Sequence, residues 1–122
     1  MVRLSHSVMI LLAAFVLSGC KTDSQLLDER AQAYLAGNPT LDRDTATAIS
    51  AHRLRRGMTT EQVKAAWGEP VIVERFDNKS EYWYFGCHWP HHCGGGSRDE
   101  PPEAVYESRA YFENGSLVSW KG

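Results

Sequence analysis

The chain has 122 residues, 13 of them basic and 15 acidic, with a formal net charge of −2. That balance excludes the basic surface on which nucleic-acid binding rests, and no nucleic acid is expected as a partner. The length provides for one small domain, so any chemistry must come from local motifs within it.

Chain order begins with a leader. Arg3 is followed by an unbroken apolar run from Val8 to Leu17 and then by small residues leading to Cys20. The run has the form of a secretory signal and falls short of the roughly 18 residues needed to span a bilayer. The junction Leu17-Ser18-Gly19-Cys20 resembles a bacterial lipobox. The resemblance implies a signal peptide over residues 1–19, with the Cys20 thiol alkylated by diacylglycerol before cleavage ahead of it. With its new amino group also acylated, Cys20 would carry more than one chain, as stable anchoring requires. The expected membrane contact is therefore a lipid anchor, and Lys21 after the cysteine implies, by the sorting rule of enteric lipoproteins, the outer membrane.

Removing the leader takes Arg3 with it and leaves about 100 residues for the mature domain. Over Asp23–Leu35 the residues Leu27, Ala31, Tyr34 and Leu35 share a helical face, with Asp23 or Ser24 as cap and Gly37-Asn38-Pro39 as stop. Residues 20–37 are expected to form a lipidated tether and helix. A second helix is expected with Leu41, Thr45, Ala48, Ile49 and His52 on one face, closing on Arg53, Arg55 and Arg56 before Gly57. Basic residues in a last turn suit the negative end of the helix dipole; attraction to anionic lipid or an acidic partner is the alternative. The third helix has the clearest local logic, in GMTTEQVKAAWGEP. Thr59 and Gln62 form a capping box, Met58 can staple onto Val63, and Gly68 with Pro70 ends the helix. Val63, Ala66 and Trp67 are its expected buried stripe.

After Pro70 the period changes to alternation. Val71–Phe76 and Glu81–Gly86 read as a hairpin across Asp77-Asn78-Lys79-Ser80. Ala104–Phe112 reads as a further strand, joined to Ser116–Trp120 through the two-residue turn Asn114-Gly115. Tyr82, Trp83, Tyr84, Phe85, Tyr106, Tyr111, Phe112 and Trp120 cluster in these strands. Two-residue alternation sends half of them into a core and leaves the others on the open face, as a binding surface or without purpose.

The segment CHWPHHC holds Cys87, His88, His91, His92 and Cys93 in seven residues. In an oxidising periplasm the expected pairing is a Cys87–Cys93 disulfide that staples a long inter-strand link. A metal-binding loop is the alternative, with His88 and His91 or His92 as imidazole ligands; free thiols remain open as well. The spacing is not Cys-x-x-Cys, which leaves a thioredoxin-like catalyst unsupported. The chain has no Gly-x-Ser-x-Gly elbow, phosphate loop or His-Glu-x-x-His pair, so neither an enzyme nor a cofactor is expected.

Gly57-Met58-Thr59, Gln62-Val63, Trp67-Gly68, Pro70, Trp83 and Tyr111-Phe112-Glu113-Asn114-Gly115 with Leu117, in this order, resemble the SmpA/OmlA (BamE-like) family of outer-membrane lipoprotein domains. The resemblance covers residues 38–122. It implies an α+β fold with two helices packed on a three- to four-stranded antiparallel sheet, order ααβββ, to which this chain adds an N-terminal helix. It also implies a non-enzymatic assembly or scaffold factor at the periplasmic face of the outer membrane, contacting other envelope or outer-membrane assembly proteins. A metal-binding or metal-sensing envelope lipoprotein using the Cys-His loop is the rival reading.

Overall fold

Three helices precede four strands in the computed structural model, which describes residues 22–86 and 106–122. Helix α1 spans Asp23–Gly37, and its cap is Thr22 rather than the expected Asp23 or Ser24. The Thr22 hydroxyl accepts the Gln25 N–H at 3.2 Å while the Gln25 side chain accepts the Thr22 N–H at 3.0 Å. A capping box needs a hydroxyl with Gln or Glu three positions on, and that pairing selects Thr22. Asn38 closes the helix, its side-chain amide donating to the Tyr34 carbonyl. Ala31 is fully buried, and Tyr34 and Leu35 pack beside it, as the spacing predicts.

Helix α2 spans only Arg43–Ser50. Asp42 caps it by accepting the Thr45 N–H at 2.9 Å, and Thr45, Ala48 and Ile49 are buried on the expected face. The continuation to His52 does not occur, because His52 takes a φ of 56°. Bonds to the next helix hold it there: its carbonyl accepts the Trp67 indole N–H at 3.0 Å, and its ring Nδ1 lies 3.0 Å from the Ala66 carbonyl. The helix-dipole account of the arginines is therefore corrected, since Arg53, Arg55 and Arg56 lie beyond the helix and its last turn holds no basic residue. Arg55 instead folds back to the start of α2, donating to the Thr45 hydroxyl at 3.2 Å and facing Asp42 and Asp44 at 3.4 and 3.8 Å.

Helix α3, Thr60–Trp67, begins with the expected capping box: Thr59 accepts from Gln62 N–H at 3.2 Å and Gln62 returns the bond at 3.0 Å. Met58 and Val63 are both buried in the core cluster. Gly68 ends the helix at φ 90°, ψ −171°, an extended positive-φ conformation open to glycine rather than the left-handed helical one. The buried set is Val63, Ala65 and Ala66. Trp67, expected among them, lies at the margin of the core with its ring edge-on to Phe85 at 5.2 Å.

The strands are β1 (Ile72–Arg75), β2 (Ser80–Tyr84), β3 (Arg109–Glu113) and β4 (Ser116–Lys121), in one antiparallel sheet of order β1-β2-β3-β4. Asp77 organises the first hairpin, its Oδ1 accepting the N–H groups of Lys79 and Ser80 at 2.6 and 2.8 Å. The second uses Asn114 (φ 54°) and Gly115 (φ 74°), the positive-φ pair of a tight hairpin turn. Strand β3 is shorter than expected: residues 106–108 precede it, although Phe85 N–H still bonds the Ser108 carbonyl at 3.0 Å. Ala104, where this strand was expected to begin, lies outside the described residues. Tyr111 faces Ser119 but Phe112 faces Leu117, which leaves Val118 as a bulge.

The helices cover one face of the sheet. Ile49, Leu54, Met58, Val63 and Ala66 meet Trp83, Phe85, Ala110, Phe112 and Leu117 in a single apolar cluster. This is the α+β architecture expected, with three helices and four strands.

Candidate functional site

The face of the sheet turned away from the helices carries the second half of the aromatic residues. Register places Glu74, Tyr82 and Tyr111 in one row across β1, β2 and β3, with Ile72, Tyr84 and Arg109 in the next. Tyr82 and Tyr111 stack with ring centroids 4.6 Å apart, at the close end of the aromatic range. Tyr84 continues the stack at 6.4 Å, Tyr106 follows at 6.4 Å, and Phe76 meets Tyr82 edge-on at 5.4 Å. Five rings thus form one continuous cluster, open to water at Phe76 and partly at Tyr82, Tyr106 and Tyr111. Tyr84 is only 3% exposed yet lies outside the apolar core cluster.

Carboxylates border the rings. The Tyr111 hydroxyl donates to Glu113 Oε1 at 2.8 Å, and the Tyr84 hydroxyl donates to Glu74 Oε2 at 3.4 Å. The Ser80 side chain, the largest influence on the Tyr111 phenol, lowers its pKa, but Glu113, desolvation and Tyr82 together outweigh it and hold the phenol above its ordinary value. Tyr111 therefore remains a neutral donor. Stacked tyrosines with hydroxyls already oriented offer large contact area at small entropic cost, which suits macromolecular contact.

On the helix-side face, Glu81 accepts the Trp83 indole N–H at 2.8 Å and the Arg75 guanidinium N–H at 3.1 Å. The indole bond and then Arg75 hold its carboxyl below the ordinary value despite some desolvation. Lys64 sits 5.5 Å from the centroid of the Trp83 ring, in cation–π range. Asp42 is also held below its ordinary value, by the Thr45 backbone N–H first, then the Thr45 side chain and Arg55. Two further acids are held in ion pairs: Glu61 pairs with Lys64, and Glu69 with Arg30 and Lys64. Sequence reasoning placed no function on these acids, and the structure brings no pair of them into a catalytic arrangement among the described residues.

His52, expected on one face of the second helix, joins all three helices. Its Nδ1 faces the Ala66 carbonyl and its Nε2 lies 2.5 Å from Asp28 Oδ1 on α1. Both partners are acceptors, so a doubly protonated ring donates to both whereas a neutral ring donates to one. A cleft of about 340 Å³ beside it, lined by Leu27, Trp67 and Phe85, separates α1 from the end of the sheet. The link to Asp28 was hidden in the sequence because 24 positions separate the partners.

The residues singled out for lipidation (Cys20), disulfide formation (Cys87 and Cys93) and metal binding (His88, His91 and His92) lie outside the described residues, as does the leader. Among the described residues, no group of three or more His, Cys, Asp or Glu side chains converges as a metal site. Nor is any described helix long and apolar enough to cross a membrane.

Helices on one face and an aromatic, carboxylate-bordered face on the other define a small α+β domain. The family model of the outer membrane protein assembly factor BamE domain matches residues 46–122, more than half of the chain, and the chain belongs to that family. The match starts within α2 and leaves α1 outside it. Comparison with curated proteins and with solved structures found no match.

Proposed function

We propose that this protein is an outer-membrane lipoprotein that acts as a non-enzymatic assembly factor, binding components of the β-barrel assembly machinery from the periplasmic side. The family match over residues 46–122 carries this reading. In it, residues 1–19 are a signal peptide, Cys20 bears the lipid, residues 20–37 form the tether with α1, and residues 38–122 form the working domain. The stacked Tyr82–Tyr111 surface supplies the contact with a partner protein. Cys87 and Cys93 close the link between β2 and β3 as a disulfide.

Deleting the gene should lower the level of folded barrel proteins and weaken the envelope barrier, and affinity capture of the chain should recover assembly components. Unchanged barrel proteins, an intact barrier and a capture free of those components would contradict the reading. Replacing Cys20 with Ser should release the protein from the membrane fraction. Intact mass without reductant should be two hydrogens below that of the dithiol and resist thiol alkylation. Two reactive thiols with a retained metal ion would favour a role for His88, His91 and His92 instead.

A further inference from the structure

The two edges of the sheet are treated differently by the chain. At β4, the segment before α3 pairs with the first half of the strand: Gly57 N–H bonds the Leu117 carbonyl and Leu117 N–H bonds the Met58 carbonyl, both at 2.8 Å. The bulge at Val118 further interrupts that edge. At β1 there is β2 on one side and, among the described residues, no strand on the other. Phe76 N–H donates to the Ser80 carbonyl at 3.1 Å. Alternation of the antiparallel ladder then gives Ile72 and Glu74 the inward bonds and turns the N–H and C=O groups of Val73 and Arg75 away from β2.

That open row of donors and acceptors is bordered by apolar surface. Of the five large hydrophobic residues exposed in the described structure, three lie at this edge: Val71 at 57%, Val73 at 40% and Phe76 at 63%. An apolar edge of this kind is a template for another strand, and proteins ordinarily blunt it with free charge or proline. Here the basic residue is already engaged, since Arg75 is paired with Glu81 at 3.1 Å. Glu74 has the opposite status: its carboxylate accepts the Tyr84 hydroxyl and meets no cation among the described residues. A strand added at this edge would bond Val73 and Arg75, placing Glu74 at a position where facing side chains approach most closely.

We propose that β1 receives an extended strand from a partner protein, with β-branched side chains beside Val71 and Val73 and a Lys or Arg directly opposite Glu74. Main-chain bonds would supply the pairing, and the unneutralised Glu74 would set register and choose a basic strand over an acidic one. The geometry of the edge carries this inference independently of the assembly-factor reading and of the tyrosine surface.

The test uses the full chain in detergent micelles, isotopically labelled for amide exchange. Its probe is a synthetic peptide alternating valine and threonine with one arginine on the threonine face, and the control carries glutamate in place of the arginine. At saturating arginine peptide the Val73 and Arg75 amides should exchange about tenfold more slowly, while Leu117, already bonded to Met58, should not change. The glutamate peptide should bind roughly fivefold more weakly, and Glu74→Lys should reverse the preference without loss of fold. Val73→Pro, which removes the outward donor, should abolish protection. The proposal is overturned by unprotected Val73 and Arg75 amides, or by equal binding of the two peptides. Protection that grows with protein concentration without peptide would also overturn it, assigning the edge to a second copy.

Discussion

The two faces of the sheet are written by the same strands in alternate letters, and they differ in burial and in chemistry. Trp83, Ala110 and Phe112 point into the helices and are almost fully removed from water, with Phe112 at 1% exposure. Tyr82 and Tyr111 come from the neighbouring positions, stack on each other, and remain partly open. The inner residues have no polar handle apart from the Trp83 indole, whereas Tyr84 and Tyr111 on the outer face carry hydroxyls held by Glu74 and Glu113. Apolar area buried inside stabilises the fold, and aromatic area kept on a prepared surface is available to something else.

Substitutions should separate the two roles. The largest effect belongs to the inner face: Phe112→Ala should cost about 3–5 kcal/mol, read from urea unfolding, because the cavity lies against Trp83 and the helix layer. A loss below about 1 kcal/mol would break the distinction. His52→Ala comes next, at about 1–2 kcal/mol, since it removes the ring bonds that tie α1 and the end of α3 together. Amide exchange should locate the loosening in α1 more than in the sheet. Thr59→Ala should cost about 1 kcal/mol in the same unfolding assay by removing the cap of α3.

The smallest effect concerns acid. Glu81 and Asp42 have carboxyl groups below their ordinary values of 4.5 and 3.8 in the folded chain. The unfolded chain therefore binds more protons in that range, and stability rises with pH there. Their contribution is fully present above the ordinary values and is lost as pH falls through the lower folded ones. Thermal melts taken downward from pH 6 should show this decline, shallower in Glu81→Gln and Asp42→Asn. The Asp42 side chain is 64% exposed and that of Glu81 27%, so solvent screening keeps the change small.

Much of this division is legible in the sequence. The Thr59–Gln62 box, the Asn114-Gly115 turn and the alternation through Glu81–Gly86 are local signals whose physics is complete within a few residues. The end of α2 was illegible because its hydrophobic spacing runs on to His52, while bonds to Ala66 and Trp67 in another helix set the turn. Arg55 misled for a similar reason: its carboxylate partners stand at the other end of α2. The outward tyrosines were expected from alternation, but their stacking depends on register between strands. Sequence proximity also marked Cys87–Cys93 as a closed chemical group; that group stands outside the described residues and rests on the redox argument.

The most direct test of the central claim is a paired measurement on the Tyr82→Ser/Tyr111→Ser double variant: its urea midpoint, and its capture of assembly-machinery proteins from solubilised outer membranes. The midpoint should stay close to that of the unaltered chain, with capture largely lost. Full capture with an unchanged midpoint would contradict it, by showing that the stacked tyrosines are not the surface through which the protein works.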